Sequence, residues 1–158
     1  MDSPVRRPGE DHDGPPRRDR PNKIYDSLEA ALARFRLAPP QPCDNHYAMD
    51  YIARHSLRET SKPDAAGWQW KFDPSIWRRF DMEGTPPSEM IKNVSCPLAI
   101  MRGEDSAIAV DTVWAYMQEL LGPGVPFISI PHAHHHVMLD QPLAFVSALR
   151  TLLESWRS

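Results

Sequence analysis

Four histidines crowd one short stretch, Pro131-His132-Ala133-His134-His135-His136, followed by Val137-Met138-Leu139-Asp140-Gln141-Pro142. Imidazole is the side chain best suited to moving protons near neutral pH, so a loop histidine is a candidate general base. The bland alternative is a loop histidine bonded to the backbone. Clustered histidines also raise the prospect of a zinc or nickel site. A closed zinc site, however, wants four ligands held by further partners, and no second Cys or His pair stands at a matching spacing. No metal and no cofactor is therefore expected. A base needs a nucleophile to act on. The rest of the chain offers no evident one.

The elements around this loop are those that place chemistry at strand ends. Leu98-Ala99-Ile100-Met101 reads as a buried strand, and Gly103 opens a loop. Asp111 is expected to cap a helix that runs to Leu121, with Val113, Trp114, Met117, Leu120 and Leu121 apolar. Gly122 and Gly124 end it, and Phe127-Ile128-Ser129-Ile130 forms the next strand. A closing helix from Pro142 to Trp156 turns Phe145, Val146, Leu149, Leu152, Leu153 and Trp156 inward. Strand, helix, strand, helix at this spacing predicts a right-handed parallel βα repeat, with the histidines at the carboxyl end of a strand. Two such strands, or three with a stub near Met1, leave sheet edges without partners. Either the chain associates with something that completes the sheet, a second copy of itself included, or it is a fragment of a larger domain.

The first half is different in kind. Up to about Pro21 the chain is polar and rich in proline, and Arg6-Arg7 and Arg17-Arg18 are separated by Glu10, Asp11 and Asp13. The mixed signs argue against a nucleic-acid arm, because neighbouring acids cancel the field a phosphate would feel. A helix is expected over Asp26 to Leu37, with Asp26 and Glu29 as a capping box and Pro39-Pro40 as its stop. A second covers Asn45 to Leu57, with Tyr47, Tyr51, Ile52 and His55 on its buried side. The aromatic cluster Trp68, Trp70 and Phe72, with Ile76, Trp77 and Phe80 as a further helical turn, either packs a core or lines an apolar pocket. Together these predict a helical subdomain over residues 22–92, between a polar connection (1–21) and a βαβα part (93–158).

A chain of 158 residues fits one domain and can bury a real core. A net charge of −3 gives no reason to expect nucleic acid or an anionic membrane as partner. No apolar run reaches the length of a membrane span, and the first residues lack the apolar centre of a signal peptide. Cys43 and Cys96 match no metal or redox spacing, which suits two free thiols in a reducing cytoplasm.

Cys96-Pro97-Leu98-Ala99-Ile100-Met101-Arg102-Gly103-Glu104, then Ile130-Pro131-His132-Ala133-His134-His135 with Asp140-Gln141-Pro142 and Phe145, resemble the C-terminal part of an α/β-hydrolase. The resemblance extends upstream. Asp2-Ser3-Pro4 is similar to the end of the strand after the family's nucleophile helix, and residues 5 to about 90 to the helical cap inserted there. It thus implies an α/β fold: a partial α/β-hydrolase with two or three parallel strands, C-terminal helices and a helical cap.

The resemblance further implies a Ser-His-Asp type triad in the complete protein, acting on a small-molecule ester or related substrate. The histidine five residues before the acidic position, Asp140, is His135; His134 stands where the family usually has glycine. For the triad acid, the family's position in strict register from Gly103 holds Ser106, and Asp105 lies one place early. Asp105 is preferred; Asp2 is the alternative, matching members whose acid follows the preceding strand, and Glu104 stands third. Trp68, Trp70 and Phe72 would line the substrate pocket. The family's nucleophile elbow, Gly-x-Ser-x-Gly, needs its glycines for a tight strand-to-helix turn, and Ser3, Ser27, Ser56, Ser61 and Ser75 all lack them. The oxyanion-hole loop is missing too, so the isolated chain is expected to be inactive. The opposing reading is a non-catalytic half-domain that serves as a binding or assembly partner.

Overall fold

The computed structural model describes residues 4–10, 20–62, 65–76 and 85–157. They divide into two compact units, one from Met1–Asp11, Gln41–Asp44 and Gly84–Ser158, the other from His12–Pro40 and Asn45–Glu83. No helix among the described residues is long and apolar enough to cross a membrane.

Among the described residues, the second of these units holds helices α1 (Leu28–Leu32) and α2 (His46–His55) and a hairpin. Helix α1 (Leu28–Leu32) is a single turn capped by Ser27, whose Oγ accepts from the Ala30 N–H at 3.1 Å. The expected Asp26–Glu29 box is therefore replaced by a serine cap one residue later, and the helix ends well before Leu37. Phe35 leaves the helical path and its ring lies 5.8 Å from that of Trp70. Helix α2 (His46–His55) follows its Asn45 cap as expected. Its faces are not those expected: Tyr47 is 86% exposed, Tyr51 56% and Ile52 39%, while the buried residue is the small Ala53.

Strands β1 (Leu57–Lys62) and β2 (Ala65–Trp70) pair antiparallel, with Leu57 opposite Trp70 and Thr60 opposite Gly67. The aromatic segment is thus a strand, where only helices were expected. Tyr25 bridges Trp68 through two main-chain hydrogen bonds of 2.8 Å. Gly67 permits that approach, since a Cβ there would lie 2.4 Å from the Tyr25 carbonyl oxygen.

The other unit carries α3 (Pro87–Lys92), β3 (Ile100–Gly103), α4 (Asp111–Leu121), β4 (Phe127–Ile130), α5 (Val137–Asp140) and α6 (Pro142–Ser155). Strands β3 and β4 are parallel, in register from Ile100–Phe127 to Gly103–Ile130. β3 begins two residues later than Leu98 because its pairing is set by β4. The alternation of a strand divides the core in two. Ile100 packs with Val113 and Met117 of α4, joined by Val5, Ile91 and Leu98. Met101 packs on the other side with Ile130, Ala133, Val137 and Leu152, joined by Phe145 and Ala148. The cap of α4 is Val110, and Asp111 is its first helical residue.

Helix α6 departs most from its expected packing. Of the six residues expected to face inward, Leu152 is buried and Phe145 half-buried, but Val146, Leu149, Leu153 and Trp156 are 37–47% exposed. A sheet with two described strands covers only one stripe of a fourteen-residue helix.

Candidate active site: two loops at the strand ends

Both candidate catalytic residues sit just past the carboxyl ends of parallel strands. Asp105 lies two residues after β3, and His135 five after β4. The loops that carry them are joined through main chain. The Glu104 N–H donates to the Ile130 carbonyl and the Asp105 N–H to the Ala133 carbonyl, each at 2.9 Å. Gly103 makes the approach sterically feasible. A Cβ at that position would stand 2.2 Å from the His134 carbonyl oxygen and 2.3 Å from that of Ala133. Any side chain at 103 would drive the loops apart.

After the glycine, the acid loop is shaped by polar contacts. Ser106 is buried, and its Oγ accepts from the Ile108 N–H at 3.3 Å and the Ala109 N–H at 3.2 Å. Arg102 is also buried. Its Nη1 donates to the Ala109 carbonyl at 2.7 Å, its Nη2 pairs with Asp111 Oδ1 at 2.6 Å, and its guanidinium lies 4.6 Å from the Trp114 ring centre. The residue in strict family register, Ser106, thus folds inward and caps its own loop, which leaves Asp105 and Glu104 exposed beside it.

The histidine loop turns at His132, whose φ is +54° and whose carbonyl accepts from Gln141 Nε2 at 3.2 Å. Asp140, with a side chain only 8% exposed, then gathers the loop. Its Oδ2 accepts from the His134 N–H at 2.7 Å and faces His134 Nδ1 at 3.1 Å. His135 is half-buried, and its ring meets that of His136 edge to face with centres 4.8 Å apart. Among the described residues no group of three or more His, Cys, Asp or Glu side chains could hold a metal ion.

Of the sequence candidates, His135 and Asp105 are carried on touching loops of one unit, whereas Trp68, Trp70 and Phe72 belong to the other unit. Trp68 and Trp70 are half-buried on β2, and Phe72 is 52% exposed. Asp2 lies outside the described residues, as do Ser3, Trp77 and Phe80. Sequence reasoning passed over Arg102 and Gln41. The first left a signal, a charged residue at the end of an apolar strand; the second left none, because its partners stand 95 to 99 residues away.

No family model and no curated protein matches the sequence. Solved structures do. The E-2-(acetamidomethylene)succinate hydrolase aligns with a TM-score of 0.64 at 19% identity, over 84% of this chain and 47% of that one. The Mycobacterium tuberculosis esterase gives 0.63 at 20% identity, over 84% and 43%. An α/β hydrolase from Novosphingobium aromaticivorans gives 0.50 at 21%, over 84% and 47%. This chain has part of an α/β-hydrolase fold. It spans less than half the length of each of these structures. In an α/β-hydrolase fold, chemistry gathers at the carboxyl ends of the parallel strands. That is the end at which β3 and β4 present the Gly103 loop and the histidine loop.

Proposed function

We propose that this chain is the acid-and-histidine portion of a Ser-His-Asp type hydrolase that acts on a small-molecule ester or a related substrate. The observation that carries the reading is the main-chain stitching of the Gly103 loop to the histidine loop, which sets Asp105 and His135 on adjoining supports. His135 takes the proton of the attacking serine and returns it to the leaving group, then activates water to release the acyl enzyme. Asp105 accepts from His135 Nδ1 and holds the imidazole in the useful tautomer; Asp2 is the alternative acid. Trp68, Trp70 and Phe72 of the helix-and-hairpin unit, acting as a cap, supply the apolar lining. No Gly-x-Ser-x-Gly occurs in this sequence, so the nucleophile comes from residues outside it. Cys43 and Cys96 match no metal or redox spacing, which fits a cytoplasmic setting.

Reading the DNA upstream of Met1 tests the proposal. An in-frame strand followed by Gly-x-Ser-x-Gly is expected. In the joined protein, His135→Ala should then lower esterase kcat by roughly 10³-fold or more. Unchanged activity would overturn the assignment of the base. The chain by itself should hydrolyse p-nitrophenyl acetate no faster than its His135→Ala variant, and a histidine-dependent burst would show a nucleophile within it.

One observation favours a non-catalytic half-domain that associates with a partner or with itself. Leu143 of α6 is 82% exposed, and Val146, Leu149, Leu153 and Trp156 extend an apolar surface along the same helix. Sedimentation velocity separates the two: a monomer at micromolar concentration would count against assembly.

A further inference from the structure

His135 lies between two peptide N–H groups, and each is held by a side chain from elsewhere in the same unit. On one side the His134 N–H donates to Asp140 Oδ2 at 2.7 Å. On the other the His136 N–H donates to Gln41 Oε1 at 2.9 Å. The two holding side chains are themselves joined, because Gln41 Nε2 donates to the Asp140 carboxylate at 3.1 and 3.2 Å. Gln41 is distant in sequence but belongs to the unit that carries the loop, within the short stretch Gln41–Asp44.

We infer that Gln41 is a positioning residue that, with Asp140, clamps the backbone on both sides of His135 and so sets where its imidazole stands. The inference rests on the reading of His135 as the hydrolytic base. The chemistry of the pair explains the residue types. A buried carboxylate must have its oxygens satisfied, and here the donors are the His134 N–H, the Gln41 amide and His134 Nδ1, which carries its proton when it faces a carboxylate. A primary amide can donate to that carboxylate and accept from a peptide N–H at the same time. Glutamate at 41 would keep the acceptor for His136 but set a second carboxylate against Asp140. Leucine would lose both bonds. Helix α5 is a single turn that begins after His136, so it does not hold the preceding peptide groups by its own hydrogen bonding.

The test is amide exchange and imidazole NMR on the full chain. In Gln41→Ala the His136 N–H should exchange about tenfold faster or more, and the His135 ring Cε1–H signal should shift. The amide of Ile100, which donates from β3 to the Pro126 carbonyl at 2.9 Å, should keep its protection. In Gln41→Glu, similar in size, the His136 N–H should stay protected at neutral pH while the His134 N–H loses protection, because repulsion moves Asp140. If Gln41→Ala fails to fold, Gln41→Glu carries the test alone. Wild-type His135 ring signals and His134 and His136 exchange in a folded variant would overturn the inference. These readouts do not depend on turnover. A silent Gln41 variant therefore removes the clamp and leaves the base standing, while an active His135→Ala enzyme removes the base and leaves the clamp measurable.

Discussion

At the carboxyl ends of β3 and β4 the main chain is drawn together until only glycine fits, and buried polar side chains finish the loops. At the amino ends of the same strands lie two open grooves. One, of about 550 Å³, is bounded by Gln118, Glu119, Gly122, Pro123, Val125 and Phe127; the other, of about 280 Å³, runs past Ile91, Cys96, Leu98 and Leu121. Gly122 and Gly124 there have no atom within 4 Å of where a Cβ would stand. Open volume is thus found at the amino ends, while the buried polar contacts that shape the two loops gather at the carboxyl ends. Volume alone does not mark a site; ordered donors and acceptors around a titratable loop mark it better, since their burial has to be compensated by specific partners.

The contrast can be broken by substitution, and the largest effect should come from Gly103→Ala. Its Cβ would meet two carbonyl oxygens at 2.2 and 2.3 Å, so the loops must part. A loss of about 3 kcal/mol in urea unfolding is expected. A near-neutral result would mean that the loops are not tightly apposed. Arg102→Met comes next, at about 2 kcal/mol, because the Ala109 carbonyl and Asp111 lose their partner and only the stacking on Trp114 is partly replaced. Asp111 is 93% exposed on its side chain, which keeps its share of that figure small. Ser106→Ala should cost about 1 kcal/mol through the two peptide groups it caps, read from the same unfolding curves. Gly124→Ala, at the opposite end, should stay within about 0.5 kcal/mol of wild type. A larger loss there than at Ser106 would reverse the comparison.

Much of the C-terminal unit was legible in the residues themselves. The apolar runs and the glycine stops between Leu98 and Ile130 placed β3, α4 and β4 to within two residues, since local periodicity and chain breakers decide such elements. The hairpin was not legible: Leu57–Lys62 carries Arg58, Glu59 and Lys62, and reads as polar helix or loop until it pairs with the aromatic strand. Helix α2 shows the same limit. Its aromatic residues suggested a buried face, but the residue it buries is Ala53, while Tyr47, Tyr51 and Ile52 stay exposed. At the site, Gly103 and the histidines declared themselves, whereas the inward turn of Ser106 depended on the Ile108 and Ala109 amides that only the folded loop brings to it.

By itself, then, the sequence determined the alternation of strands and helices after Leu98, the glycine at the first loop and the histidines at the second. Those features are written in periodicity and in residue types whose backbone or protonation properties are intrinsic. Tertiary structure alone decided that Gly103 lies against the Ala133 and His134 carbonyls and that Gln41 reaches across 95 residues to His136. It also left the outer face of α6 uncovered. Such contacts arise from the closure of distant segments on one another, and no local pattern of residues encodes which partner will be there.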